Sequence, residues 1–325
     1  MSTSDWVESL LAHRPEELRL VVLSDIHVYH DEATLLGNSN YARDMSDHSI
    51  SNNPVAALKE LITSRGITAD FLICPGDITD RAHPGALEHG WRLLHEIKDL
   101  VGAKAVLATP GNHDVDSRYG HTRYDAKGVA VNLSPDFPIS HRQLADTFWA
   151  RHFVMLEGGN YRIVLLNSAA YHGEGTVFPG DPSDKTPRPP PLPEYEHGRV
   201  SPNTLDAIEK LLKATDPKPV NILVCHHHPD RLSGARFESD YGAMQGGREL
   251  TDTLARPEYG RWVIIHGHKH LGAVHQPSCS TSPGPIAFCA SAPAASARLY
   301  RETGLPVIRS TSCRFQRIRA ATAWE

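Results

Sequence analysis

Phe71-Leu72-Ile73-Cys74-Pro75-Gly76-Asp77-Ile78-Thr79-Asp80 decides how the rest of the chain reads. Four consecutive apolar residues followed at once by Pro-Gly read as a buried strand ending in a turn. That turn carries two carboxylates. Working outward, the same arrangement recurs. Leu18-Arg19-Leu20-Val21-Val22-Leu23 runs into Asp25-Ile26-His27, and Ala105-Val106-Leu107-Ala108 runs into Gly111-Asn112-His113-Asp114. Asn221-Ile222-Leu223-Val224-Cys225 leads to His226-His227-His228-Pro229, and Trp262-Val263-Ile264-Ile265 leads to Gly267-His268-Lys269-His270.

Helical patterns alternate with these strands. One opens at Asn53-Pro54 with Val55, Leu58, Leu61 and Ile62 on a single face. A second starts at about Pro84 and carries Leu87, Trp91, Leu94 and Ile97; a third starts at Ser201-Pro202 and carries Leu205, Ile208, Leu211 and Leu212. Proline at the first helical position suits each start. Tyr161-Arg162-Ile163-Val164-Leu165-Leu166 and Pro285-Ile286-Ala287-Phe288-Cys289 read as further strands. Near-continuous apolar strands suit sheets covered on both faces, and strand–helix alternation implies a layered α/β architecture. Polar residues at strand ends then converge on one rim.

The bulk composition narrows the class. The chain has 325 residues, 40% hydrophobic and 22% charged, which is ordinary globular usage. The sequence is expected to form one domain over 1–325, with a proline-rich insertion at about 176–202 and an arginine-bearing tail at about 298–325. No apolar run approaches the ~20 residues of a membrane span. The N-terminus lacks a basic start and an apolar stretch, so no secretory signal is expected. Five irregularly spaced cysteines do not form a disulfide framework, and a reduced, cytoplasmic setting is expected. A net charge of −5 argues against a dedicated duplex-binding surface. The arginines of the tail read as a solvated face.

The strand-end motifs hold the chemistry. Residues two apart on a strand point the same way, so Asp25 and His27 can reach one ion, as can His268 and His270. Asn112 offers a neutral carbonyl oxygen, and Asp77 a carboxylate with two oxygens able to bridge two cations. Two ions ~3.5–4 Å apart polarise a phosphoryl oxygen and lower the pKa of a bound water. Mixed imidazole and carboxylate ligands suit Mn, Fe or Zn over Ca or Mg. Tyr29, His30, Asn40, His172 and His197 fall in loops and read as surface or packing residues; Asp114 reads as a support for the turn that carries His113.

The series Asp25-x-His27, Gly76-Asp77-x-x-Asp80, Gly111-Asn112-His113-Asp114, His227-x-Pro229 and Gly267-His268-x-His270 resembles the calcineurin-like metallophosphoesterase superfamily. The resemblance implies a four-layer α/β/β/α sandwich of two mixed sheets flanked by helices. It implies that Asp25, His27, Asp77 and His270 hold one ion, and that Asp77, Asn112, His227 and His268 hold the other. His113 would then donate a proton to the leaving oxygen or stabilise the phosphoryl group, with Asp80 raising its proton affinity. Arg81 stands where the protein-phosphatase branch has a phosphate-contacting arginine. The histidine two residues before proline selects His227 as ligand over His226, and strand alternation sends His226 and His228 to the opposite face, behind the ligands or toward substrate.

These features together point to a binuclear metal-dependent phosphoesterase that uses metal-activated water. The His-His-Pro and Gly-His-x-His signatures resemble those of bacterial small-molecule phosphodiesterases, which implies a small-molecule phosphodiester such as a cyclic nucleotide as substrate. A DNA or RNA nuclease and a phosphomonoesterase are the enzymatic alternatives, nucleic acid being the less favoured partner. A non-catalytic scaffold on this fold ranks below them, because every ligand position is filled by a competent residue.

Overall fold

A computed structural model describes residues 9, 12–13, 17–28, 54–173, 197–230 and 243–270, and the backbone alone of 29, 42–43, 274–275, 286–290 and 314–319. Its elements follow in chain order. Strand β1 (Glu17–Val22) is followed by the short strands β2 (Val28–Tyr29) and β3 (Ala42–Arg43) and by helix α1 (Pro54–Arg65). Next come β4 (Phe71–Cys74), α2 (Pro84–Leu100), β5 (Ala105–Ala108), α3 (Gly128–Val131) and α4 (Arg142–Arg151). The second half holds β6 (Phe153–Glu157), β7 (Tyr161–Leu166), α5 (Pro202–Ala214), β8 (Val220–Val224), α6 (Gly247–Leu254) and β9 (Trp262–His266). Strands β10 (Val274–His275), β11 (Ile286–Ala290) and β12 (Arg314–Arg319) complete it.

Two larger sheets result. The first has the order β12-β1-β4-β5 and the second β10-β11-β9-β8-β7-β6. Pairing is parallel along β1-β4-β5 and along β11-β9-β8-β7. The antiparallel strands β12, β6 and β10 close the edges, so both sheets are mixed.

Strand alternation sorts the side chains into three cores, which define the layers. From the first sheet, Leu18, Leu20, Val22, Phe71, Ile73 and Leu107 meet Ile163, Leu165, Ile222 and Val224 of the second. The intervening residues Val21, Leu72, Cys74 and Val106 face outward against Ile62 of α1 and Leu87, Trp91, Leu94 and Ile97 of α2. On the far side, Val164, Leu166, Leu223, Trp262 and Ile264 pack against Ile208 and Leu212 of α5 and Leu250 and Leu254 of α6. The order is helix, sheet, sheet, helix.

The outer helices are fixed at their starts. Ser201 accepts the amide of Thr204 at 3.1 Å, and the His83 ring accepts that of Ala86 at 3.3 Å. Each satisfies an amide that the first turn leaves without an intrahelical partner.

Of the proline-rich stretch, residues 176–196 lie outside the described residues, as do His30, Asn40 and most of the tail. Within that tail, residues 314–319 form β12, paired antiparallel to β1 from Glu17↔Arg319 to Val22↔Arg314. Half of its six residues are arginines, so that part of the tail belongs to a sheet. Among the described residues, no helix is long and apolar enough to cross a membrane.

Candidate metal centre

The C-terminal ends of the parallel strands of both sheets meet at one place. β1 delivers Asp25 and His27, β4 delivers Asp77 and Asp80, and β5 delivers Asn112 and His113. From the second sheet, β8 delivers His226 and His227, and β9 delivers His268 and His270. Backbone bonds knit the carrying loops together. The amide of Asp25 donates to the Gly76 carbonyl and that of His27 to the Asp77 carbonyl, each at 3.0 Å; the Gly267 amide donates to the His226 carbonyl at 3.0 Å. Asp25, His27, Asp77, His268 and His270 all take positive φ, between 43° and 80°. Non-glycine residues seldom adopt such backbone, at a cost of about 1–3 kcal/mol each, and it gathers at functional sites.

Asp25, His27, Asp77 and His270 each bring one ligand atom within 4.8 Å of the others. The Nε2 atoms of His27 and His270 face one another at 3.1 Å, and His27 Nε2 lies 3.6 Å from Asp77 Oδ2. His270 Nε2 lies 3.4 Å from Asp25 Oδ1. Burial above all pushes His27 down to about 4, so its ring is neutral with a lone pair to give.

The second group comprises His226, His227 and His268, likewise within 4.8 Å. Asn112 Oδ1 joins it, 3.0 Å from both His226 Nε2 and His268 Nδ1. Here the structure departs from the alternation expected of the histidine run. β8 ends at Val224, so residues 225–228 lie beyond the strand, and His226 is not sent to the face opposite His227. Instead His226 Nε2 lies 3.3 Å from Asp77 Oδ2, while its Nδ1 donates to the Pro75 carbonyl at 2.9 Å. His227 faces Ser168 Oγ through Nδ1 at 2.9 Å, and its Nε2 is buried without a hydrogen-bond partner. His228 is buried too, its ring 6.1 Å from those of His266 and His268.

Asp77 joins the two groups. Its Oδ2 faces His27 and His226, while Oδ1 accepts the amide of His113 at 2.8 Å. Burial opposes its ionisation, but His226, His113 and His27 outweigh burial and hold the carboxyl well below its usual range. Conversely, burial works to lower His226, yet Asp77 and Asp25 prevail and raise it to about 9. Both nitrogens of that ring face oxygen atoms, Nδ1 that of Pro75 and Nε2 those of Asn112 and Asp77. Gly111 and Gly267 permit this crowding: a methyl at Gly111 would collide with Asp77 Oδ1, and one at Gly267 with Ser24 and Asp25.

His113 Nδ1 lies 2.9 Å from Asp80 Oδ1. An ionised carboxylate only accepts, so Nδ1 carries a proton and Nε2 is left for substrate. Burial lowers the proton affinity of His113, but Asp77 and Asp80 together raise it above the ordinary value. Arg81 is exposed, its Nε 3.7 Å from Asp80 Oδ2. Asp114 accepts the amides of Thr79 at 2.9 Å and Gly111 at 2.8 Å, bracing the loops under Asp77 and His113.

The residues suit divalent transition metals. Imidazole and carboxylate atoms converge: His226 Nε2 stands 3.0 Å from Asn112 Oδ1 and 3.3 Å from Asp77 Oδ2, and the His27 and His270 Nε2 atoms face one another at 3.1 Å. Ser168 takes part as well, a residue outside every motif. Its hydroxyl lies 3.2 Å from the His226 amide and 3.1 Å from the His227 amide, in addition to the His227 ring. It stands two residues past β7, a parallel strand whose end carries none of the five motifs. His172 is a packing residue, buried with its ring 5.1 Å from that of His227.

Two stacked sheets with carboxylates and imidazoles at their joined strand ends define the class of a layered metal-dependent hydrolase. The family model for calcineurin-like phosphoesterases matches residues 18–272, and the chain belongs to that family. Membership supports hydrolysis of a phosphate ester at this site. Similar solved structures include a purple acid phosphatase from yellow lupin (Lupinus luteus) seeds, at 15% identity and TM-score 0.49, covering 86% of this chain and 45% of that one. A protein serine/threonine phosphatase from Saccharomyces cerevisiae gives 12% identity and TM-score 0.33, covering 100% and 92%. GAP50, the anchor in the inner membrane complex of Plasmodium, gives 12% and 0.42, covering 94% and 85%. Likeness at these levels transfers no activity to this chain, which spans under half the length of the lupin enzyme. No curated protein matches the sequence significantly.

Proposed function

We propose that the protein is a binuclear metal-dependent phosphodiesterase acting on small diesters, cyclic nucleotides among the classes to be screened. One ion would be held by Asp25, His27, Asp77 and His270, the other by Asp77, Asn112, His226 and His268. The observation that carries this reading is the Asp77 carboxylate, whose Oδ2 lies 3.6 Å from His27 and 3.3 Å from His226. His226 takes the place first given to His227, because its Nδ1 is held by the Pro75 carbonyl while Nε2 is aimed at Asp77 and Asn112. A backbone carbonyl on the far nitrogen is the usual way a metal-binding histidine is oriented.

A bound divalent pair supplies Lewis-acid polarisation of the phosphoryl oxygen and a water of lowered pKa. The chain's own groups do the rest. Asp80 orients the His113 ring and keeps it protonated, so Nε2–H faces the leaving oxygen as proton donor. Asp114 and the Gly111 turn hold that ring in place.

The test is turnover of bis(p-nitrophenyl) phosphate, cyclic AMP and p-nitrophenyl phosphate by protein loaded in turn with Mn, Fe and Zn. Diester turnover should exceed monoester turnover, and Asp77→Ala should abolish it. An Asp77→Ala variant of full activity would refute the assignment. His113→Ala should lower kcat by roughly 10²–10⁴-fold with metal content unchanged.

A further inference from the structure

A cavity of about 480 Å³ opens beside His113, lined among others by Arg81, Asn112, Arg118 and His121. That volume lies within the range that accommodates a whole small molecule. Its wall is built by specific bonds. The buried Asp116 carboxylate accepts the amides of Gly120 at 2.7 Å, His121 at 2.8 Å and Thr122 at 2.7 Å, folding the loop tightly around itself. His121 Nε2–H donates to the Arg81 carbonyl at 3.0 Å, and the Ala82 amide donates to the His113 carbonyl at 2.7 Å. Arg81, Ala82 and Tyr119 are all held in left-handed backbone, with φ of 54°, 55° and 53°. Asp116 is the only carboxylate among the described lining residues, and its charge is already met by three N–H groups. Two exposed guanidinium side chains, Arg81 and Arg118, border the cavity, that of Arg81 with its Nε 3.7 Å from Asp80 Oδ2.

We propose that this cavity receives the departing portion of the substrate, and that this portion carries a phosphate of its own. The proposal rests on the reading of His113 as proton donor: a group that protonates the leaving oxygen must face it, so the cavity that His113 lines is on the leaving side. An uncharged alcohol gains nothing from paired guanidinium groups. A phosphate gains charge-assisted, bidentate hydrogen bonds. The substrate class is then a linear diester whose leaving alcohol is a phosphorylated nucleoside or sugar. In a cyclic mononucleotide the leaving oxygen stays on the product and brings no second phosphate.

Calorimetric titration of the manganese-loaded full chain with adenosine 5′-monophosphate and adenosine 3′,5′-bisphosphate tests this. The bisphosphate should bind roughly tenfold more tightly than the monophosphate. The preference should fall to about threefold or less in Arg118→Ala, invert in Arg118→Glu, and weaken as ionic strength rises. Arg118 is exposed, so both variants should melt with the parent. Equal affinities in the parent protein, no binding of the bisphosphate, or a preference that survives both substitutions would overturn the proposal. Turnover of bis(p-nitrophenyl) phosphate, measured alongside, reports on the hydrolase reading alone: its absence with the bisphosphate preference intact would fail that reading and leave the anion site standing.

Discussion

Asp77 meets three demands with one carboxylate: a backbone amide at Oδ1 and two imidazoles from different sheets at Oδ2. The pair His226 and His227 is the sharpest test at this scale. Elemental analysis after manganese loading should find that His226→Ala loses about one ion per chain, while His227→Ala keeps both with affinity lowered roughly 10–100-fold. The reverse order would return the ligand role to His227. Local pattern made most of the site legible, because an apolar run, a turn and a polar residue lie within a few positions of each other. The choice between two adjacent histidines was not local. The proposal of His226 rests on β8 ending at Val224 and on the Pro75 carbonyl, 151 residues distant. Ser168 was hidden for another reason: serine past a strand is too common to carry a signal.

The elements with strong periodicity follow the sequence closely. α2 buries Leu87, Trp91, Leu94 and Ile97, and α5 starts at the Ser201-Pro202 pair. Helix α4 and strand β6 were not foreseen: α4 buries only Ala145 and Phe148, and β6 shows a mixed burial pattern. Their place is fixed instead by packing, β6 on the edge of the second sheet beside β7. Trp91 is fully buried, with its Nε1–H donating to the Pro135 carbonyl at 2.7 Å. Trp91→Ala should destabilise by about 3–5 kcal/mol, and Ser201→Ala by about 1 kcal/mol, in denaturant melts. Equal effects would mean that α2 does not anchor the first core.

At the scale of the whole molecule, the site is a seam. Asp25, Asp77 and Asn112 come from the first sheet, and His226, His268 and His270 from the second. Cations held there bind the folded chain and not the unfolded one. Manganese or zinc at about a hundred times its dissociation constant should stabilise by about 2.7 kcal/mol, raising Tm by roughly 4 °C, and chelation should reverse this. A melt unmoved by any of Mn, Fe and Zn would argue against a cation at the seam.

The register of β12 along β1 has a further consequence. All six residues of β1 are matched on that side, from Glu17 to Val22, while β4 occupies the other. Without residues 314–319, β1 would present a row of bare amides and carbonyls along an apolar ribbon, a template on which another chain could build. The last described strand thus acts as a guard rail: three arginines stand on the ribbon that covers the open side of β1.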